Sequence, residues 1–203
     1  MSGKIFVISA ACGAGKSTLV SYIVNELFPV YQIERVITYT TRKPRKSEQH
    51  GRDYFFLSTK QFEINIKKGF FLEWSNTYVA YYGSPKSIIE QSKQGRSFIL
   101  ILDRNGAQKI VKEADNVVLI LITVPPVLLK ERLLKRGSET VAEITMRLQQ
   151  SATELEQERQ ESIYHYTIIN DDLGAAQKRL AEIIVYELRK KESYKLQKTP
   201  KLV

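Results

Sequence analysis

Gly13-Ala14-Gly15-Lys16-Ser17-Thr18 sets two glycines, a lysine and two hydroxyls directly downstream of the apolar run KIFVIS at 4–9. A strand that feeds a glycine-rich turn and then a helix exposes bare N–H groups to the oxygens of an anion. The positive end of the helix points at the same charge. In that setting Lys16 reaches the outer phosphates of a nucleotide and Ser17 offers its hydroxyl to Mg²⁺. The full Walker A pattern places glycine five positions before Gly15, where this chain has Ala10. A tight turn capping a helix would also use glycine and serine, so the strand-to-helix junction decides for phosphate.

Three further groups carry possible chemistry. Thr41-Arg42-Lys43-Pro44-Arg45 holds two guanidiniums three residues apart in a proline-stiffened loop. That spacing suits a dianionic phosphate gripped from two sides, and Tyr54 downstream adds a hydroxyl. Two arginines alone are more often a solvated basic loop. Glu73 stands in FFLEW at 70–74, a carboxylate in otherwise apolar company. It either faces water from a half-exposed strand or is buried, where it requires a partner. Guanine would be such a partner, because its N1–H and N2–H₂ donors meet both carboxylate oxygens, whereas adenine has an acceptor at N1 and no amino group at C2. Arg132, Arg136 and Arg147 lie on helical patterns around Gly137. They are either surface charges or mobile groups that close over a phosphoryl group in transfer.

The elements that must position these residues follow from periodicity. Helical spacing of Leu19, Val20, Ile23, Val24 and Leu27 predicts a helix over 17–28 that Pro29 ends. A strand is expected at 35–40, then a polar loop over 41–52. Short strands at 54–57, 70–74 and 78–82 enclose a helix opened by the box Ser58-x-x-Gln61. Ser84, followed by Pro85, should cap another helix ending at Gly95. Alternation then resumes with strands at 97–103 and 116–123, a helix at 106–112, helices at 127–136 and 140–162 broken at Gly137, a strand at 166–170 and a helix at 173–188. Uninterrupted apolar strands such as 98–102 and 117–122 fit a parallel sheet covered on both faces. The fold class is therefore α/β, a doubly wound parallel sheet with a small mixed or antiparallel insertion.

With 203 residues, 43% of them hydrophobic and 26% charged, the chain suits one soluble domain. No apolar run reaches the roughly 20 residues of a membrane span. A lone Cys12 excludes an internal disulfide and suits a reducing, cytoplasmic setting. Beside a lysine and a helix N-terminus its thiol is either a small turn filler or a reactive group. Much of the formal charge of +9 falls in the polar tail at 189–201, which is expected to fray. The rest is scattered without aromatic interleaving, so neither a membrane surface nor a specific nucleic acid is the expected partner.

Taken together, GAGKST, TTRKPR followed by GRDYFF, FFLEW, YYGSP, LDRNGAQ and INDDL resemble the guanylate kinase family, in its order and spacing, from residue 4 to about residue 188. The resemblance implies a P-loop NTPase-type core at 1–36, 97–126 and 163–190, a GMP-binding lobe at 37–96, a helical lid at 127–162 and a basic tail at 191–203. It implies that Thr38, Arg42, Arg45, Tyr54, Glu73, Tyr82, Ser84 and Asp103 bind GMP. Ala10, Ala11, Cys12 and Gly13 to Thr18 would bind the phosphates of ATP, with Asn170 and Asp171 at its adenine end. Arg132, Arg136 and Arg147 match the family's phosphate-clamping arginines. The implied reaction is reversible transfer of the γ-phosphoryl of MgATP to GMP, with dGMP as a further acceptor, by a monomer or a homodimer. The alternative is a non-catalytic protein-binding module of the same fold, which typically loses the loop lysine that this chain keeps. A kinase for another phosphorylated acceptor would have no guanine for Glu73 and Thr38 to read.

The chain departs from the family at two places. Ala10-Ala11-Cys12 replaces the usual Gly-Pro-Ser. An alanine at position 10 adds a methyl where backbone passes close to phosphate and is penalised if positive φ is needed there, which predicts weakened but surviving ATP binding. Ile101 stands where the family tends to carry an acid. That leaves Asp103 to serve Mg²⁺ through water, to hold guanine, or both.

Overall fold

The structure, a computed structural model, describes residues 2–10, 13–77, 80–137 and 140–196. Strand β1 (Ile5–Ala10) is the centre of a five-stranded sheet, and its first four residues are fully buried. Burial on both faces is what an uninterrupted apolar run permits. β1 pairs in parallel with β7 (Ser97–Ile101) on one side and β8 (Val117–Thr123) on the other. β2 (Ile33–Arg35) and β9 (Tyr166–Ile169) form the edges, giving the order β2-β7-β1-β8-β9.

Alternate residues of β1 serve two hydrophobic layers. Phe6 and Ile8 pack with Leu19 and Ile23 of α1 (Lys16–Tyr31) and with Leu180 and Ile184 of α7 (Leu173–Leu196). Ile5 and Val7 pack with Ile88 of α3 (Ser87–Lys93) and with Ala107 and Ile110 of α4 (Arg104–Glu113). Helices thus cover both faces of the parallel sheet, as the apolar strands predicted.

A second, four-stranded sheet is mixed. Its order is β4 (Phe55–Phe56), β3 (Tyr39–Thr40), β6 (Ala80–Pro85) and β5 (Phe71–Thr77). β3 runs parallel to β4, while β6 is antiparallel to both β3 and β5. Its core is aromatic: Phe62 of α2 (Thr59–Lys67) is fully buried and stacks on Phe71 with ring centroids 4.3 Å apart. The predicted box opens α2, with Gln61 N donating to Ser58 Oγ and Ser58 N donating to Gln61 Oε1. The remaining helices, α5 (Pro126–Arg136) and α6 (Val141–Gln160), flank Gly137, whose φ of 65° ends the first of them.

Four boundaries differ from the sequence reading, each for a local reason. Pro29 lies inside α1, where its missing N–H costs one bond in the final turn, and the helix ends after Tyr31. The single strand expected at 35–40 is two strands in two sheets. Val36 N bonds Ile99 O at 2.9 Å and Thr38 O accepts Phe55 N at 2.8 Å, so 36–38 is where the chain crosses between sheets. Ser84 and Pro85 extend β6 instead of opening a helix: Lys86 N reaches back to Phe70 O at 2.9 Å, and α3 starts after Lys86 without a side-chain cap. The closing helix passes residue 188 and runs to Leu196, with Arg189 Nε donating to Tyr31 Oη at 3.2 Å, so the start of the basic tail is helical. The expected strand at 78–82 begins at two residues outside the described set, as do residues 197–203. Among the described residues no helix is long and apolar enough to cross a membrane.

Candidate active site

A cleft of about 910 Å³ opens where the carboxyl ends of β1 and β7 meet the second sheet and α6. Loops at that edge are where an α/β sheet binds ligands. On one side the turn after β1 has Gly13 at φ +92° and Gly15 at φ +87°, conformations that only glycine adopts without strain. A Cβ on Gly15 would also stand 2.6 Å from Asn170 Nδ2. Asn170 is 1% exposed and donates that nitrogen to Ala14 O at 2.7 Å, so the end of β9 pins the turn from beneath. Lys16 Nζ rests on the carbonyl of Ala10, and Lys16, Ser17 and Thr18 border the cleft.

Ala10 itself is ordinary strand backbone paired with Ile122, not a residue at positive φ. The backbone strain foreseen for it is absent. Ala10→Gly should therefore leave ATP affinity within about twofold and lower stability by about 0.5–1 kcal/mol, the cost of glycine inside a strand. Titration calorimetry and thermal melting of that variant check both halves. Ala11 and Cys12 lie outside the described residues.

On the opposite side Thr38, Arg42, Arg45, Tyr54, Glu73, Tyr82 and Asp103 all border the same cleft. Arg42 makes a two-point ion pair with Glu48, Nη2 lying 2.9 Å from each carboxylate oxygen, and sits 5.5 Å over the Tyr54 ring. Arg45 N donates to Glu48 Oε2 at 2.8 Å, and its guanidinium is 3.8 Å from Oε1. One carboxylate therefore holds both guanidiniums at the cleft. Burial pushes the Tyr54 hydroxyl above its ordinary range.

Glu73 is 6% exposed, so the buried alternative is the one the fold adopts. It lies opposite Ser84 in the β5–β6 ladder, and Ser84 is fully buried behind it. Burial raises the Glu73 carboxyl above the usual carboxylate range. Ser84 pulls it partway back, the Asp103 carboxylate adds to the rise and Lys109 opposes it. Asp103 Oδ1 accepts Gly106 N at 2.7 Å and so caps α4. A Cβ on Gly106 would lie 3.3 Å from both Asp103 Oδ1 and Glu73 Oε2, which places the two acids side by side.

The roof is helical. Arg132 of α5 and Arg147 of α6 border the cleft, while the side chain of Arg136 is outside the described set. Glu143, Gln150 and Glu154 share the cleft-facing side of α6 with Arg147, the i, i+3, i+4 spacing of one helix face. Burial raises the Glu154 carboxyl, and Lys16 across the cleft offsets part of that rise. Asp171 is exposed, its Oδ1 accepting Asp172 N at 2.8 Å, and it does not border the cleft.

The family model for guanylate kinase matches residues 2–187. The chain belongs to the guanylate kinase family. A guanylate kinase of Haemophilus ducreyi is 35% identical over 95% of this chain and 93% of its own length. One of Protochlamydia amoebophila is 38% identical over 91% of each. Among solved structures, guanylate kinase from Anaplasma phagocytophilum superposes with a TM-score of 0.71 at 26% identity, covering 92% of this chain and 87% of that one. Guanylate kinases are ATP-dependent nucleoside monophosphate kinases, and the P-loop fold of the family is the fold described above.

The chain's own donors fit the divalent ion such kinases generally use. Ser17 and the acids Asp103 and Glu154 border the cleft, Glu154 within the influence of the Lys16 charge, and a hard cation such as Mg²⁺ prefers oxygen ligands. Among the described residues no group of three His, Cys, Asp or Glu side chains forms a metal site by itself. Glu48 and Glu154 were not singled out from the sequence. For Glu154 the signal was present, seven positions along the helix from Arg147 on the same face. For Glu48 nothing but its place in the arginine loop marked it.

Proposed function

We propose that this chain transfers the γ-phosphoryl group of ATP to GMP, reversibly giving ADP and GDP. The observation that carries the reading is the single cleft in which the Lys16 turn faces a buried carboxylate, Glu73, and the Arg42 and Arg45 pair. Glu73 accepts the guanine N1–H and N2–H₂ protons, with Ser84, Thr38 and Asp103 around the base. Arg42, Arg45, Tyr54 and Tyr82 hold the acceptor phosphate, Arg42 exchanging its bonds to Glu48 for phosphate oxygens. The N–H groups of residues 10–15 and the side chains of Lys16 and Thr18 hold the donor phosphates, and Asn170 and Asp171 stand at the adenine end. Asn170 contributes there by keeping the turn in place.

A general base is unnecessary, because a phosphate monoester has a second pKa of about 6 and already presents an anionic oxygen at neutral pH. Catalysis comes from alignment and charge: Lys16 on the donor, Arg42 on the acceptor, and Arg132, Arg136 and Arg147 over the group in flight. Ser17, with Asp103 nearby in the same cleft, would hold Mg²⁺, which would supply neutralisation of charge on the donor phosphates. Residues 127–162 act as a lid whose closure excludes water that would otherwise hydrolyse ATP. Residues 37–96 act as the acceptor lobe on the core of 1–36, 97–126 and 163–190. All these groups come from one chain, so the reading holds for a monomer and for a homodimer. It extends to dGMP as a further acceptor and to a cytoplasmic location, which the lone Cys12 suits.

Transfer is tested with ATP labelled at the γ-position. Label should appear in GDP in step with ADP formation and only in the presence of GMP. Label appearing chiefly as free phosphate would contradict it.

A further inference from the structure

Arg104, the first residue of α4, lies directly after Asp103, and its guanidinium reaches the C-terminal end of α6. Nη1 pairs with Glu158 and Nη2 donates to the carbonyl of Glu161, both side chains of the Arg104–Glu158 pair being only 10% and 12% exposed. The Glu158 carboxylate also accepts Ser162 Oγ at 2.6 Å, Ile163 N at 3.2 Å and Tyr164 N at 3.3 Å. The C-terminus of α6 and the turn leading to β9 are thus gathered around one acid that Arg104 fixes to the core. These hydrogen bonds outweigh burial and hold Glu158 below the usual carboxylate range, so the pair is ionised at neutral pH.

A buried ion pair is a poor source of net stability, and its best-attested use is to fix geometry. The geometry available here is that of a lever. Arg147 lies eleven residues before Glu158 on the same helix, about 16 Å away at 1.5 Å per residue. A tilt of about 10° at the Glu158 end would carry Arg147 by about 3 Å, when a misplacement of about 1 Å can cost a hundredfold in rate. Asp103, beside Glu73, and Arg104, under α6, are consecutive residues, so one backbone segment sets both the acceptor floor and the angle of the helix above it.

We propose that Arg104 is a positioning residue for phosphoryl transfer: its ion pair with Glu158 is the pivot of α6 and sets where that helix presents Arg147 over the phosphates. The inference rests on the functional reading above. Its signature is loss of alignment without loss of substrate binding.

The test is steady-state kinetics of the full chain as wild type, Arg104→Met, Arg104→Lys and the double variant Arg104→Met/Glu158→Gln, which leaves no unpaired buried charge. GDP formation and ATP hydrolysis without GMP are both followed. Arg104→Met should lower kcat for transfer by about 30-fold or more, with both KM values within about threefold. The ratio of hydrolysis to transfer should rise about tenfold, because a misplaced lid admits water. Arg104→Lys should recover part of kcat, and the double variant should share the altered ratio. A merely structural role would lower both reactions in proportion to the folded fraction, leaving the ratio unchanged, and that result overturns the proposal. So does transfer within threefold of wild type in a folded Arg104→Met or double variant. Absence of transfer by the wild type would instead remove the functional reading itself.

Discussion

Lys16→Met is expected to lower kcat for GDP formation by about 10²–10³-fold, the loss found when a donor aimed at developing charge is removed. Methionine keeps most of the side chain's length and apolar stem, so the change isolates the ammonium. Lys16 begins α1 beside two glycines in left-handed conformations and rests on the Ala10 carbonyl, a contact it can exchange for phosphate oxygens without moving the turn. KM for GMP should change little, because the acceptor groups lie on the second sheet and at the end of β7. Stopped-flow or coupled measurement of kcat against folded protein checks the prediction, and a fall of only a few-fold would remove Lys16 from the transition state.

Glu73→Gln should lower kcat/KM for GMP by about 10²-fold, since a charge-assisted bond is lost and the amide N–H₂ confronts a guanine donor. The same substitution should raise thermal stability at neutral pH. Burial holds the Glu73 carboxyl above its ordinary range, so its folded-state pKa exceeds its unfolded one. The favourable contribution of such a group is complete below the unfolded pKa and is lost as pH rises through the folded pKa. At pH 7 the wild type therefore bears the cost of a buried anion that glutamine does not, and the melting temperatures should converge as the pH falls toward the range of free carboxylates. Guanine binding uses the ionised form. Wild-type affinity for GMP should thus fall with decreasing pH through the raised Glu73 pKa, a dependence that Glu73→Gln abolishes. Calorimetric titration across pH distinguishes this from titration of the GMP phosphate, which affects both proteins alike.

Much of the fold was legible because its strands are strongly patterned. The runs at 5–10, 98–101 and 117–122 have no polar face, and only a sheet covered on both sides accommodates them. Boundaries were less legible where one local sequence serves two geometries. Residues 35–40 read as one extended segment, and only the partners Ile99 and Phe55, far along the chain, divide it between two sheets. Ser84-Pro85 reads as a helix cap until Glu73 is placed opposite it. In the site, residue types that need a particular chemistry were visible, as with Lys16, Glu73 and the Arg42 and Arg45 pair. Those acting through another residue were not: Glu48 gains its meaning from Arg42, and Arg104 depends on an acid 54 positions away, while Asn170 was marked only for the adenine end and not for its hold on the Ala14 carbonyl. Ala10 shows the opposite error, a departure from a motif whose feared backbone strain is absent because the residue is ordinary strand.

Acceptor choice is the most direct test of the proposed transfer, measured as ADP formation from MgATP with GMP, AMP, CMP and UMP in parallel in reducing buffer. GMP should exceed each of the others in kcat/KM by about 10³-fold or more, the discrimination of a site whose buried polar group would otherwise go unpaired. Comparable turnover with AMP, or none with any acceptor from folded protein, would contradict it.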